Sequence, residues 1–163
     1  DGYIEVESEI GRGTTFTVLF PTTSAPVDQL ESDRPEKDGP LEIGTVLLAE
    51  DDELVRRLAI AVLRRVGVEL LIATNGAEAI EQLELHGENL DLAVLDVVMP
   101  KKSGLEVYNA LRETRPNLPV IFSSGYSYSE TGRLPLDDPR CRLLTKPYTP
   151  RQLIDTIKEL NSI

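Results

Sequence analysis

The chain has 163 residues, of which 40% are hydrophobic, with 28 acidic against 17 basic side chains and a net charge of -11 at pH 7. That length holds one domain of ordinary size with a smaller appendage, and the charge argues against nucleic acid as a partner, because phosphate binding needs clustered Lys and Arg. No apolar run approaches the roughly 20 residues of a membrane helix, the opening DGYIEVESEI lacks the basic and apolar regions of a secretion signal, and Cys141 stands alone, so a cytoplasmic chain without membrane contact or intrachain disulfide is expected.

In chain order, GYIEVESEI and TTFTVLF alternate strongly enough to be two strands joined through GRG. A lone hairpin is marginal in water, so this piece reads as the tail of a larger domain. Its GRGT at residues 11 to 14 is a poor phosphate loop, lacking both the lysine and the following helix such a loop requires. Residues 21 to 43 carry four prolines, many acidic groups and no usable period. Such composition cannot bury enough surface to offset its ordering entropy, which predicts a flexible acidic linker at 22–43.

Beyond the linker, apolar runs alternate with amphipathic stretches. The pattern predicts strands at 45–50, 68–73, 91–95, 119–123 and 141–145, and helices at 53–66, 76–86, 104–115 and 150–161. Strands alternating with helices imply an α/β fold around a parallel sheet. In the first helix Leu54, Leu58, Ala61, Val62 and Arg65 are expected near one face and Arg56, Arg57 and Arg64 nearer the other, with Gly67 as the stop. Between Gly125 and Cys141 the run is broken by Gly132, Pro135 and Pro139, so the helix that would join the last two strands should be short or absent. His86 reads as a surface residue at a helix C-terminus and Cys141 as a small buried hydrophobe.

Four of the apolar runs end in polar residues of different kinds: VLLA in Glu50 and Asp51, LAVL in Asp96, VIFS in Ser124 and CRLLT in Lys146. Parallel neighbours share the crevice at their carboxyl ends, where open α/β sheets bind ligands. Asp96 is then a candidate nucleophile, since a carboxylate can attack a phosphoryl group to form an acyl phosphate. Three clustered carboxylates repel unless a cation joins them, and their oxygens suit octahedral Mg²⁺. Lys146 would pair with Asp96 and then with a phosphoryl group, and Ser124 could donate to a phosphoryl oxygen. Taken singly, Asp51 also reads as a helix cap, Asp96 and Ser124 as turn residues and Lys146 as a surface lysine. The case rests on their coincidence.

VLLAEDDELVRR, LAVLDVVMPKKSG, PVIFSSGY and LLTKPYTP, in this order and spacing, resemble the receiver domains of bacterial two-component systems over residues 44–163. The resemblance implies a flavodoxin-like, doubly wound five-stranded sheet in the order 2-1-3-4-5. It makes Asp96 the phosphoacceptor and Asp51 a direct ligand of Mg²⁺ or Mn²⁺, with Glu50 acting through a water and Val98 supplying its backbone carbonyl. Ser124 takes the switch hydroxyl position and Lys146 that of the family's lysine, whose bond to Pro147 is often cis. Leu143 stands where the family usually has a switch aromatic, and FSSGY resembles a subclass with a Phe-Ala-Thr-Gly-Tyr motif, in which an order change over 126–139 would remodel the output surface.

Residues 1–21 look like the closing strands of a histidine-kinase ATPase domain, without that domain's metal-binding Asn, adenine-reading Asp or lid. The combination implies a piece of a hybrid sensor kinase that is not itself an enzyme. Its donor would be the phosphohistidine of the parent or a cognate kinase, and a histidine phosphotransfer protein downstream a plausible acceptor. Two rivals stand beside this reading. A metal-dependent aspartyl phosphatase would want a second Asp where Val98 stands, and a receiver-like interaction module would never be phosphorylated.

Overall fold

The computed structural model describes residues 2–22, 41–125 and 134–161. The chain forms two compact units, Asp1–Ser32 and Asp33–Ile163. Most of the expected linker, and residues 126 to 133 of the interrupted crossover, lie outside the described residues.

In the first unit β1 (Tyr3–Glu9) and β2 (Gly13–Leu19) pair antiparallel, with Val6 opposite Phe16 and Ile4 opposite Val18. The turn uses left-handed backbone at Gly11 and Gly13 (φ 82° and 107°), a conformation glycine adopts without steric penalty. GRGT therefore leads into a strand, as its missing helix implied.

The second unit contains β3 (Thr45–Ala49), α1 (Glu53–Arg65), β4 (Glu69–Ala73), α2 (Gly76–His86), β5 (Leu92–Asp96), α3 (Gly104–Thr114), β6 (Val120–Ser124), β7 (Cys141–Thr145) and α4 (Pro150–Asn161). A single 3₁₀ turn, Gly87–Asn89, joins α2 to β5. The sheet order is β4-β3-β5-β6-β7, with every neighbour parallel. Described residues 134 to 140 form turns, including Asp138 N–H to Pro135 C=O (3.2 Å) and Cys141 N–H to Asp138 C=O (2.9 Å).

Local chemistry sets the helix ends. Asp52 caps α1 by accepting from the N–H groups of Leu54 (2.8 Å) and Val55 (3.0 Å). α1 closes where Val68 N–H reaches back to Leu63 C=O and Gly67 takes φ 84°. Ser103 and Glu106 form a reciprocal capping box on α3. Thr149 and Gln152 exchange bonds in the same manner ahead of α4, whose first residue is Pro150.

The sheet is covered on both faces. On one side Val46, Leu48, Val94 and Ile121 pack with Ala59 and Leu63 of α1 and Leu153, Ile154 and Ile157 of α4. On the other, Leu47, Leu95, Val120 and Phe122 meet Ala79 and Leu83 of α2 and Val107 and Leu111 of α3. Each fully buried Val, Leu, Ile or Phe side chain among them stabilises the fold by roughly 1.5–3 kcal/mol.

The expected α1 stripe is corrected. The buried positions are Ala59 and Leu63, with Val55 and Val62 half-buried, whereas Leu54 and Leu58 are 77% and 42% exposed and Ala61 and Arg65 also face solvent. The stripe keeps the expected spacing but is displaced by one residue along the helix. Leucine is the stronger apolar residue, yet the helix turns the smaller Ala59 onto the sheet, where close approach favours a short side chain.

Candidate functional site

The order of strand addition reverses between β3 and β5: the sheet grows outward to β4 on one side and to β6 and β7 on the other. The carboxyl ends of β3 and β5 therefore border the switch-point crevice. Strand alternation puts Glu50 and Asp96 on the face shared with Leu48 and Val94, between α1 and α4. Carboxylate oxygens of Glu50, Asp51 and Asp96 lie within 4.8 Å of one another. Glu50 and Asp96 are buried and Asp51 is exposed, so the cluster opens to solvent through Asp51.

Lys146, one residue past β7, sends its ammonium into the cluster. Its Nζ is 2.6 Å from Asp96 Oδ2, and 2.8 and 2.7 Å from Glu50 Oε1 and Oε2. One cation thus serves two buried carboxylates. Burial pushes the Glu50 carboxyl up to about 7; the hydrogen bond from Lys146 lowers it and the charge of Asp96 adds to the rise. Burial opposes the charge on Lys146, but its bonds to Asp96 and Glu50 outweigh that and raise its pKa above the ordinary lysine value. The Lys146–Pro147 peptide is cis.

The remaining expected residues sit at the rim. Val98 donates its N–H to Asp96 Oδ1 (3.1 Å), and its side chain is exposed. Ser124 is buried and its hydroxyl donates to Gly125 C=O (3.1 Å). Leu143 is half-buried against the α2–α3 side of the core. An apolar recess of about 290 Å³, lined by Val55, Leu58, Gly125, Lys146, Pro147 and Tyr148, opens beside the lysine.

Three contributors lie outside the expected set of site residues. Arg56 donates from one guanidinium nitrogen to the carbonyls of Glu50 and Asp51 (2.9 Å each). A Cβ on Gly104 would stand 2.2 Å from Asp96 C=O, and one on Gly76 would stand 2.0 Å from Lys102 C=O. Both glycines admit the β5–α3 loop against the sheet end, and Gly76 N–H binds Pro100 C=O (3.3 Å) within that contact. MPKKSG and TNG carry the turn residues, but nothing in their local pattern says which backbone they meet.

The residues present fit a divalent cation. All three offer hard oxygen donors, one is open to solvent, and a single ammonium leaves the three carboxylates incompletely neutralised. Among the described residues this is the only group of three or more acidic, His or Cys side chains close enough to share an ion.

A five-stranded parallel α/β sheet in this order, with an acidic cluster and a lysine at its switch point, defines a receiver-type α/β domain. The family comparison gives the same result: the response regulator receiver domain matches residues 46–158, and the chain belongs to that family, which acts in two-component signalling. The chain is 36% identical over 167 residues to the sensor kinase CckA of Brucella abortus (strain 2308), an alignment covering 98% of this chain and 18% of that protein. It is 32% identical over 160 residues to the aerobic respiration control sensor protein ArcB of Escherichia coli (strain K12), covering 97% of this chain and 20% of that protein. The crystal structure of the receiver domain from the hybrid histidine kinase CckA superposes with a TM-score of 0.61 at 31% identity, over 72% of this chain and 99% of that one. The chain thus spans about a fifth of the length of these sensor kinases. No helix of the described residues is long and apolar enough to cross a membrane.

Proposed function

We propose that residues 44–163 accept a phosphoryl group from a phosphohistidine onto Asp96. The observation that carries this reading is the Asp96–Lys146 contact of 2.6 Å inside a triad of carboxylates spanning no more than 4.8 Å. Asp51 would hold Mg²⁺ or Mn²⁺ directly, Glu50 through a water, and Val98 through its carbonyl. The bound cation would supply charge neutralisation for the phosphoryl oxygens. An Asp96 oxygen forms the new bond to phosphorus while the bond to the donor imidazole nitrogen breaks, and that nitrogen takes up a proton. Lys146, already at Asp96, shifts its donors to the transferred group. Ser124 would leave Gly125 C=O to donate to the phosphoryl group, which couples its loop to phosphorylation; with Leu143 at the usual aromatic position, the β6–β7 crossover carries the response in place of a rotating ring.

The apolar recess beside Lys146, with the exposed Leu54, Leu58 and Val98, favours a protein donor over a small phosphate ester. We place residues 1–21 as the closing strands of a kinase ATPase domain and 22–43 as a linker, so that the chain is a non-enzymatic, cytoplasmic part of a hybrid sensor kinase. Alignment with two sensor kinases over nearly the whole chain, hairpin included, supports this. The parent or a cognate kinase would be the donor and a histidine phosphotransfer protein an acceptor.

Incubation with Mg²⁺ and acetyl phosphate should add the mass of one phosphoryl group, labile to hydroxylamine and absent in Asp96→Asn. If no adduct forms even with a cognate kinase supplied, the chain is an interaction module; catalytic turnover of phosphate esters would instead favour a phosphatase.

A further inference from the structure

We propose that Arg56 is a positioning residue for the divalent cation, which it serves by fixing the backbone that carries Glu50 and Asp51; the inference rests on the reading that the acidic triad holds that cation. Glu50 still belongs to the sheet ladder through its N–H to Ala73 C=O (3.1 Å). The next two carbonyls have left the ladder, and both are taken by Nη1 of Arg56 at 2.9 Å. Two successive carbonyls drawn to one nitrogen fix the rotation of the peptide units on either side of Asp51.

This matters because the triad is self-repelling. Three carboxylates within 4.8 Å gain by moving apart, and Asp51, exposed on a loop, is the one with freedom to do so. Arg56 opposes that relaxation without occupying a ligand oxygen: its hydrogen bonds go to carbonyls, and it forms no ion pair with Glu50, Asp51 or Asp96. A guanidinium paired to the carboxylates themselves would compete with the metal. The anchor is itself held, since α1 is capped by Asp52 and packed through Val55 against the core.

Electrostatics alone predicts the opposite effect. A positive charge beside the cluster weakens cation binding, so its removal should tighten it. The two accounts differ in sign, and Arg56→Met separates them because it keeps an unbranched stem while losing both charge and donors.

The test is a calorimetric Mg²⁺ titration of the full chain, wild type against Arg56→Met and Arg56→Lys, with thermal unfolding of each in metal-free buffer. Loss of such an outer support typically costs about tenfold or more in metal affinity. With the opposing charge effect, Arg56→Met should bind Mg²⁺ about three- to tenfold more weakly, and Arg56→Lys, which keeps a multi-donor nitrogen, should fall between. Equal or tighter binding by Arg56→Met overturns the proposal, as does a lowered melting temperature with unchanged Mg²⁺ affinity, which marks a merely structural role. If the Met variant does not fold, Arg56→Gln, uncharged and too short to span both carbonyls, carries the same expectation. A wild-type chain that binds no Mg²⁺ overturns both this inference and the reading beneath it.

Discussion

The two ends of the parallel sheet handle charge in opposite ways. At the amino end charged groups are matched by partners. Arg115 donates to the carbonyls of Gly87, Glu88 and Leu90, and Asp91 Oδ2 accepts from the N–H groups of Gly44 and Thr45 at 2.9 Å each. Asp138 is shared by Arg140 (2.9 Å) and Arg112 (3.6 Å), and Arg112 also lies 4.6 Å above the Tyr108 ring. At the carboxyl end three carboxylates face one ammonium. The amino end holds loops in place, and the carboxyl end keeps an unmet demand for positive charge. Buried ionisable groups left in that condition cost stability and mark the place where a ligand completes the structure.

That contrast can be broken by measurement. The largest effect is expected at the amino end: Arg115→Met, which removes charge-assisted bonds to three carbonyls, should destabilise the chain by about 2 kcal/mol. Mg²⁺ affinity should stay at the wild-type value, and urea unfolding beside a Mg²⁺ titration checks both halves. A concurrent loss of metal binding would show that the two ends are not independent.

At the other end, removing a charge should help. Burial holds Glu50 near 7 in the folded chain against an ordinary 4.5. Because the folded state binds that proton more tightly, the stabilising contribution is complete below about pH 4.5 and is lost as pH rises through about 7. Metal-free Glu50→Gln should therefore be more stable than wild type by about 1 kcal/mol at pH 8, with the gap closing toward pH 5. Thermal unfolding at the two pH values decides this, and a gap that widens on acidification would reverse the sign of the argument. Mg²⁺ binding by wild type should strengthen over the same window as Glu50 loses its proton.

The smallest effect concerns the loop after Asp96. Lys101 has φ 67°, a left-handed conformation that costs a side-chain-bearing residue about 1–2 kcal/mol. Lys101→Gly relieves that cost but gains chain entropy when unfolded, so a net stabilisation below about 1 kcal/mol is expected in urea unfolding.

Much of this was legible in the chain. Among the described residues, the five strands and four α-helices of the second unit lie within one residue of their expected ends, because hydrophobic period, caps and glycine stops are local signals. The order β4-β3-β5-β6-β7 is likewise the one the resemblance implied. Glu50, Asp51, Asp96 and Lys146 come together as expected because each ends an apolar run, and parallel strands bring such ends together. Ser124 ends its strand by the same rule, yet its hydroxyl binds Gly125 C=O, a choice made by a rotamer that sequence does not encode. The rotation of α1 was misread for a related reason: apolar spacing gives the period of a helix, while the sheet beneath it selects which residues fit.

Sequence by itself determined the strand and helix pattern, the acidic excess and the residue types gathered at the carboxyl ends, since these follow from local preference and from the two-residue alternation of a strand. Tertiary structure alone decided that one lysine is divided between Glu50 and Asp96, that Arg56 holds the acidic loop by its carbonyls, and that Gly76 and Gly104 leave room for backbone from other parts of the chain. Those are distances between residues far apart in sequence or questions of side-chain rotation, and they become defined only when the core packs and removes the alternatives.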